Sequence, residues 1–152
     1  MNKGRFILSI IITITTIYCD RSDCDDCLTP PESFRMMIVD KTTGEDLFDG
    51  KTYFTDSLEI YYFQNQERKE APFQIENFNS YEKVIKSDQL PWISVGGDKT
   101  FYIRLNSQDT DTLYLHVAEY LYYCCRSYPY VEVLINGNEM ENTNQGIFLL
   151  KK

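Results

Sequence analysis

The sequence predicts an all-β fold, a single antiparallel β-sandwich of immunoglobulin-like or transthyretin-like type with about seven to nine strands. Three observations carry that expectation. Apolar and polar residues alternate with a period of two along most of the chain after residue 33. Those segments are rich in β-branched and aromatic residues, which suit a half-buried pleated surface. Turn signals recur between them, and no strand-helix alternation appears.

The chain opens with Lys3 and Arg5, an apolar run from Phe6 to Tyr18, and then Cys19. A membrane-spanning helix needs roughly 20 apolar residues, and this run falls short and carries Thr13, Thr15 and Thr16. It reads as the apolar core of a bacterial lipoprotein signal, residues 1–18, with Cys19 diacylated on sulfur as the new N-terminus. Tyr18 departs from the small residue usual before such a cysteine. An uncleaved anchor or simple secretion is the competing reading, although the small-x-small site that ordinary cleavage needs is missing around Thr16-Ile17-Tyr18.

Residues 19–32 form an acidic leader holding Asp20, Asp23, Cys24, Asp25, Asp26 and Cys27, and residues 33–152 form the sandwich domain. The formal net charge moves from −8 to −10 when Lys3 and Arg5 leave with the signal. That balance excludes most nucleic-acid partners, which require a basic surface. It also opposes attraction to anionic lipid, leaving the acyl chains as the membrane link. The expected location is the cell envelope, anchored to the outer membrane on its periplasmic or surface-exposed face.

The first predicted strand places Phe34, Met36 and Ile38 on one face and Arg35 and Met37 on the other. Thr43-Gly44 and Asp49-Gly50 then mark turns. Leu58, Ile60 and Tyr62 alternate with Glu59 and Tyr61. Ser80–Gln89 is ambiguous and can be read as one short helix. After Gly96-Gly97-Asp98, Phe101, Ile103 and Leu105 alternate with Tyr102 and Arg104. The longest strand is expected from Thr112 to Tyr123, with Leu113, Leu115, Val117 and Leu121 on one face and Glu119 the exception. Tyr114, His116, Ala118, Tyr120 and Tyr122 form its other face. Val131, Val133 and Ile135 follow, ended by Asn136-Gly137, a pair that tolerates the positive φ of a type I′ hairpin turn.

Thr29-Pro30-Pro31-Glu32-Ser33-Phe34, then Ile38-Val39-Asp40-Lys41-Thr42-Thr43-Gly44-Glu45-Asp46-Leu47-Phe48, and late in the chain Cys124-Cys125, form a recognisable pattern. It resembles the small lipoproteins of Bacteroidetes, of Flavobacteria type, over nearly the whole mature chain. The resemblance implies a lipid-anchored β-sandwich on the cell envelope, and the acidic leader is similar to the signal that sends such lipoproteins to the outer face of the outer membrane. It carries no catalytic residue over. Val39–Leu47 is also similar to the first strand of carboxypeptidase-regulatory-like sandwich domains, through a short segment that mainly encodes a turn.

With Cys19 set aside, Cys24, Cys27, Cys124 and Cys125 remain, and in an exported protein an even count favours disulfides. Of three connectivities, two tie the leader to the end of the long strand, and these are preferred over a vicinal Cys124–Cys125 bridge with its strained peptide. Neighbouring strand residues point to opposite faces, so both can reach the leader only where the strand has ended, as Arg126-Ser127 and Pro129 indicate. A disulfide at Cys24 would hold the domain within about 17 Å of Cys19. The alternative is zinc on the four thiolates, given the Cys24-x-x-Cys27 spacing. Adjacent cysteines rarely share one zinc, and an oxidising compartment opposes free thiolates. Thiol-redox exchange at Cys24 and Cys27 lacks the strand-turn-helix setting that lowers a thiol pKa.

His116 is the only histidine, which excludes imidazole metal triads and leaves one candidate base for a nucleophile. Its alternation instead fits a polar residue on an outer sheet face. Asp109 and Asp111 offer hard oxygens for Ca²⁺, without the glycine-centred loop of spaced ligands that such a site uses, so the pair is read as a solvated turn. No cofactor and no catalytic residue are expected. The 12 tyrosines and 9 phenylalanines give rigid area with hydrogen-bonding tips, suited to recognition, although tyrosine is also an ordinary strand residue. If a surface binds an envelope protein or glycan, Arg126, Tyr128 and Tyr130 are expected to form it. The reading is a non-enzymatic, lipid-anchored binding or structural accessory. The alternative is a small exported hydrolase, or a thiol-redox or zinc protein, using Cys24 and Cys27 or His116.

Overall fold

The computed structural model describes residues 29–48, 52–122 and 125–152. Two layers share one core. A six-stranded sheet has the order β11-β10-β7-β6-β2-β3, with β2 (Glu59–Gln64), β3 (Glu67–Glu70), β6 (Thr100–Arg104), β7 (Thr110–Val117), β10 (Tyr130–Ile135) and β11 (Asn138–Glu139). A five-stranded sheet has the order β12-β13-β1-β5-β4, with β1 (Phe34–Val39), β4 (Gln74–Phe78), β5 (Tyr81–Ser87), β12 (Glu141–Asn142) and β13 (Phe148–Lys151). A separate two-stranded ribbon joins β8 (Tyr120–Tyr122) to β9 (Cys125–Ser127), and one helix, α1 (Gln89–Val95), follows β5.

The all-β sandwich-like class is thus the one its alternation predicts, and the strands outnumber the expected range only through two- and three-residue segments. Every strand pair is antiparallel except β1 and β13, which run parallel with Met36 opposite Phe148. That parallel pair follows from a crossover: after β11 the chain passes buried Met140, enters the other layer as β12, and turns back beside the first strand.

Inward positions of both layers meet in the core. Phe34, Met36 and Ile38 of β1, Ile85 of β5 and Phe148 and Leu150 of β13 face Ile60, Phe101, Ile103, Leu113, Leu115 and Val117. Each such side chain contributes about 1.5–3 kcal/mol on burial. Asn136-Gly137 adopts φ of 50° and 78° between β10 and β11, the hairpin that the dipeptide predicts. At Thr43-Gly44 the Asp40 carboxylate accepts from the Thr42 and Thr43 amides at 2.8 and 2.7 Å, and those bonds hold its pKa below the ordinary value. Asp49-Gly50 lies outside the described residues.

Two expectations are corrected. The long strand ends at Val117 rather than continuing to Tyr123. Continuing the alternation would carry Glu119 into the core, where an unpaired carboxylate is costly. Instead the Ala118 amide donates to the Pro129 carbonyl at 3.1 Å, the chain leaves the sheet, and Leu121 becomes exposed. Ser80–Gln89 is not a helix; it contains β5, and the helix comes immediately after. Lys83 sits at φ 53°, beside an irregular β4–β5 register, so Val84 and Ile85 are buried in succession and the simple alternation is lost.

Candidate functional site

One end of the sandwich collects most of the large apolar side chains that face solvent. Trp92, Tyr120, Leu121, Tyr122 and Val131 range from 43% exposed at Trp92 to 72% at Tyr122. Only Phe54 and Phe63 are comparable elsewhere among the described residues.

The position of Trp92 is set from below. On the buried side of α1, the Ser94 hydroxyl donates to the Leu115 carbonyl at 2.7 Å and accepts from the Val117 amide at 2.9 Å. Those bonds fasten α1 to the last turn of alternation in β7. At the start of the helix, the Ser87 hydroxyl donates to the Pro72 carbonyl at 2.6 Å and accepts from the Leu90 amide at 3.2 Å. Pro91 is tolerated in this first turn because its missing N–H has no intrahelical acceptor there. Trp92 then points outward and meets the Tyr128 ring edge to face, with centroids 5.1 Å apart.

Tyr128 links the helix to the ribbon. Its hydroxyl donates at 3.4 Å to Glu119, whose same oxygen accepts from Arg126 at 2.8 Å. The Tyr128 oxygen and the Glu119 charge raise the Arg126 pKa above its ordinary value. Arg126 is therefore neutralised locally, and the patch gains no net basic charge from it. Tyr130 behaves differently. Its ring packs at 5.8 Å on Phe148 and against the core, and its hydroxyl donates to the Glu32 carbonyl at 2.7 Å. Burial, followed by the Glu32 charge, pushes its pKa upward. Of the three residues expected to form a recognition surface, Arg126 and Tyr128 share the exposed end, while Tyr130 anchors it from inside. Trp92 escaped sequence reading, because it belongs to no aromatic run, and Val131, expected to share a strand face with Val133 and Ile135, is turned outward by the register shift between Tyr130 and Glu132.

Cys125, half-buried in β9 opposite Tyr122, is disulfide-bonded. Cys19, Cys24, Cys27 and Cys124 lie outside the described residues, as does the partner of Cys125. A sulfur held in a disulfide is not a thiolate, so Cys125 is not available to the four-cysteine zinc set.

His116 lies on the outer face of the six-stranded sheet, opposite Glu132 in register. It makes no side-chain hydrogen bond or ion pair among the described residues. Asp109 and Asp111 do converge, but on an internal cation. The Lys152 ammonium lies 2.7 Å from Asp109 Oδ1 and 2.6 Å from Asp111 Oδ2. Tyr53 donates to Asp109 at 2.5 Å, and Asn136 to Asp111 at 2.7 Å. Burial raises the Asp109 pKa, but the bonds from Lys152 and Tyr53 outweigh it and the net shift is downward. Burial and the Asp109 bond push Tyr53 up to about 12. Asp111 Oδ2, fully buried, makes no directed hydrogen bond and depends on the ammonium alone. The pair is thus not a solvated turn: Asp111 is 3% exposed, and Lys152 fills the place considered for Ca²⁺.

A second aromatic group lies on the outer face of the six-stranded sheet and is partly covered by Arg68. Tyr61 stacks on Tyr102 at 5.2 Å, and Arg68 covers the Tyr61 ring at 4.0 Å. Arg68 and Arg104 both pair with Glu59. Phe63 meets the Tyr61 and Tyr102 rings edge to face at 5.9 and 5.7 Å and stays 50% exposed, so one ring of this group remains open.

Compared with protein-family models, with curated proteins and with solved structures, the chain shows no significant match to any of them.

Proposed function

We propose that this chain is a lipid-anchored protein of the cell envelope, held at the outer membrane through Cys19, and that it acts as a non-enzymatic binding or structural accessory to an envelope protein or glycan. The observation that carries the reading is the contrast between its two kinds of surface group. The carboxylates at Asp109 and Asp111 are engaged by Lys152, Glu59 by two arginines, and Glu119 by Arg126. Most of the large apolar side chains presented outward lie on a braced helix and ribbon, which suits adhesion to a surface.

The basic start, the short apolar run and Cys19 supply the address. The disulfide at Cys125 fits an oxidising compartment. Metabolic labelling with an alkyne fatty acid tests the reading. Label is expected on the full chain expressed in a didermal bacterium and is expected to vanish in Cys19→Ala. Equal labelling of both, or none of either, would overturn the anchor.

A further inference from the structure

Two hydrogen bonds show from which end of the sandwich the leader departs. Glu32 is held by Tyr130 at the start of β10, and the Ser33 hydroxyl donates to Asp88, just before α1, at 2.5 Å. Both contacts lie at the end that carries α1, β8 and β9. Ten residue steps separate Cys19 from Thr29, the first described residue, a reach of at most about 35 Å. A lipid on Cys19 therefore tethers the domain through this end, with the Asp40–Gly44 turn at the other end of β1.

We infer that this end docks on the headgroup layer of a lipid bilayer through Trp92, Tyr120 and Leu121. The inference rests on the lipid-anchor reading and goes further: the surface to which the exposed patch adheres is the bilayer, and the protein or glycan partner meets other faces of the sandwich. Trp and Tyr concentrate where apolar tails meet the wet headgroups, since each ring is apolar and its tip hydrogen-bonds. Leu121 supplies the apolar tip beside them. The Arg126–Glu119 pair is neutral as a unit, so docking depends on aromatic and aliphatic contact and not on anionic lipid. A tethered domain needs only weak contact, because the anchor already fixes a high local concentration of membrane. The far end and the outer sheet faces then remain to meet partners.

Trp92 is the sole tryptophan, so its fluorescence reports on the patch directly. The full lipidated chain is reconstituted into phosphatidylcholine vesicles, with and without lipid brominated near the headgroup end of the acyl chain. Flotation with the vesicles and an intact mass read the anchor. Blue-shifted Trp92 emission, quenched by the brominated lipid and insensitive to added salt, is the expected result. Leu121→Glu is expected to weaken the docked state about tenfold while leaving the melting temperature unchanged.

Failure to float, with no lipid in the mass, overturns the anchor and this inference together. Flotation with Trp92 still open to aqueous iodide and unquenched by brominated lipid overturns the inference alone. A blue shift that appears without vesicles and grows with protein concentration assigns the patch to a second copy of the chain, and also overturns it.

Discussion

The Tyr130 hydroxyl donates a 2.7 Å hydrogen bond to the carbonyl of Glu32, 98 residues earlier in the chain. It joins the entry of the first strand to the β10 end of the other layer, beside the exposed aromatic end. Removing the oxygen alone, in Tyr130→Phe, is expected to cost about 0.5–1.5 kcal/mol. Tyr130→Ala also deletes the ring against Phe148 and is expected to cost about 3 kcal/mol. Urea unfolding checks both, and equal midpoints for the two variants and wild type would contradict the packing.

Leu115 and Leu121 share the parity that the sequence reads as one continuous apolar face, yet they have opposite environments. Leu115 is fully buried and Leu121 is exposed. Leu115→Ala should lose about 2–5 kcal/mol, and Leu121→Ala should stay within about 0.5 kcal/mol of wild type. Thermal unfolding of the two variants side by side distinguishes a strand that ends at Val117 from one that runs on.

That pair also marks how far the sequence could be read. Period-two alternation found the inward faces of β1, β2, β6 and β7, because each is a half-buried strand with polar residues between its core positions; in β10 a register shift between Tyr130 and Glu132 leaves Val131 exposed while Val133 is buried. Asn136-Gly137 announced its hairpin through backbone chemistry that depends on two residues only. β3, with the all-polar Glu67-Arg68-Lys69-Glu70, is an edge strand whose charged side chains blunt further pairing, and it carries no apolar signal. β5 was obscured by the bulge at Lys83. β8 looked like a continuation of β7, because Leu121 keeps the parity of the leucine face and Glu119 alone marks the break. The exposed end joins Trp92, Tyr128 and Val131 from separate elements, and such a juxtaposition has no period to detect.

The Lys152 ammonium between Asp109 and Asp111 predicts a pH window. The Asp109 pKa is lowered on folding, so its contribution is present above the ordinary aspartate value and is lost as pH falls through the folded value. Lys152 is raised: burial lowers its pKa, but its bonds to Asp109 and Asp111 prevail. Its contribution is present below the ordinary lysine value and is lost as pH rises through the folded one. Asp109→Asn is expected to cost about 1–3 kcal/mol at pH 7 and to flatten the acid limb of stability against pH. Denaturant titrations from acid to alkaline pH read both effects.

Because Lys152 already holds these carboxylates, Ca²⁺ has no vacant ligand set at Asp109 and Asp111. Millimolar Ca²⁺, or its removal with a chelator, should leave the melting temperature unchanged at neutral pH. A clear Ca²⁺-dependent rise, abolished in Asp109→Asn, would show the ion displacing the ammonium.

The most direct measurement of the anchored sandwich is an intact mass of the protein from native membranes, taken with and without reduction. The expected result is a chain beginning at Cys19 that carries acyl mass and gains hydrogens on reduction, with Cys125 among the bonded cysteines. An unlipidated chain, or one whose mass does not change on reduction, would contradict it.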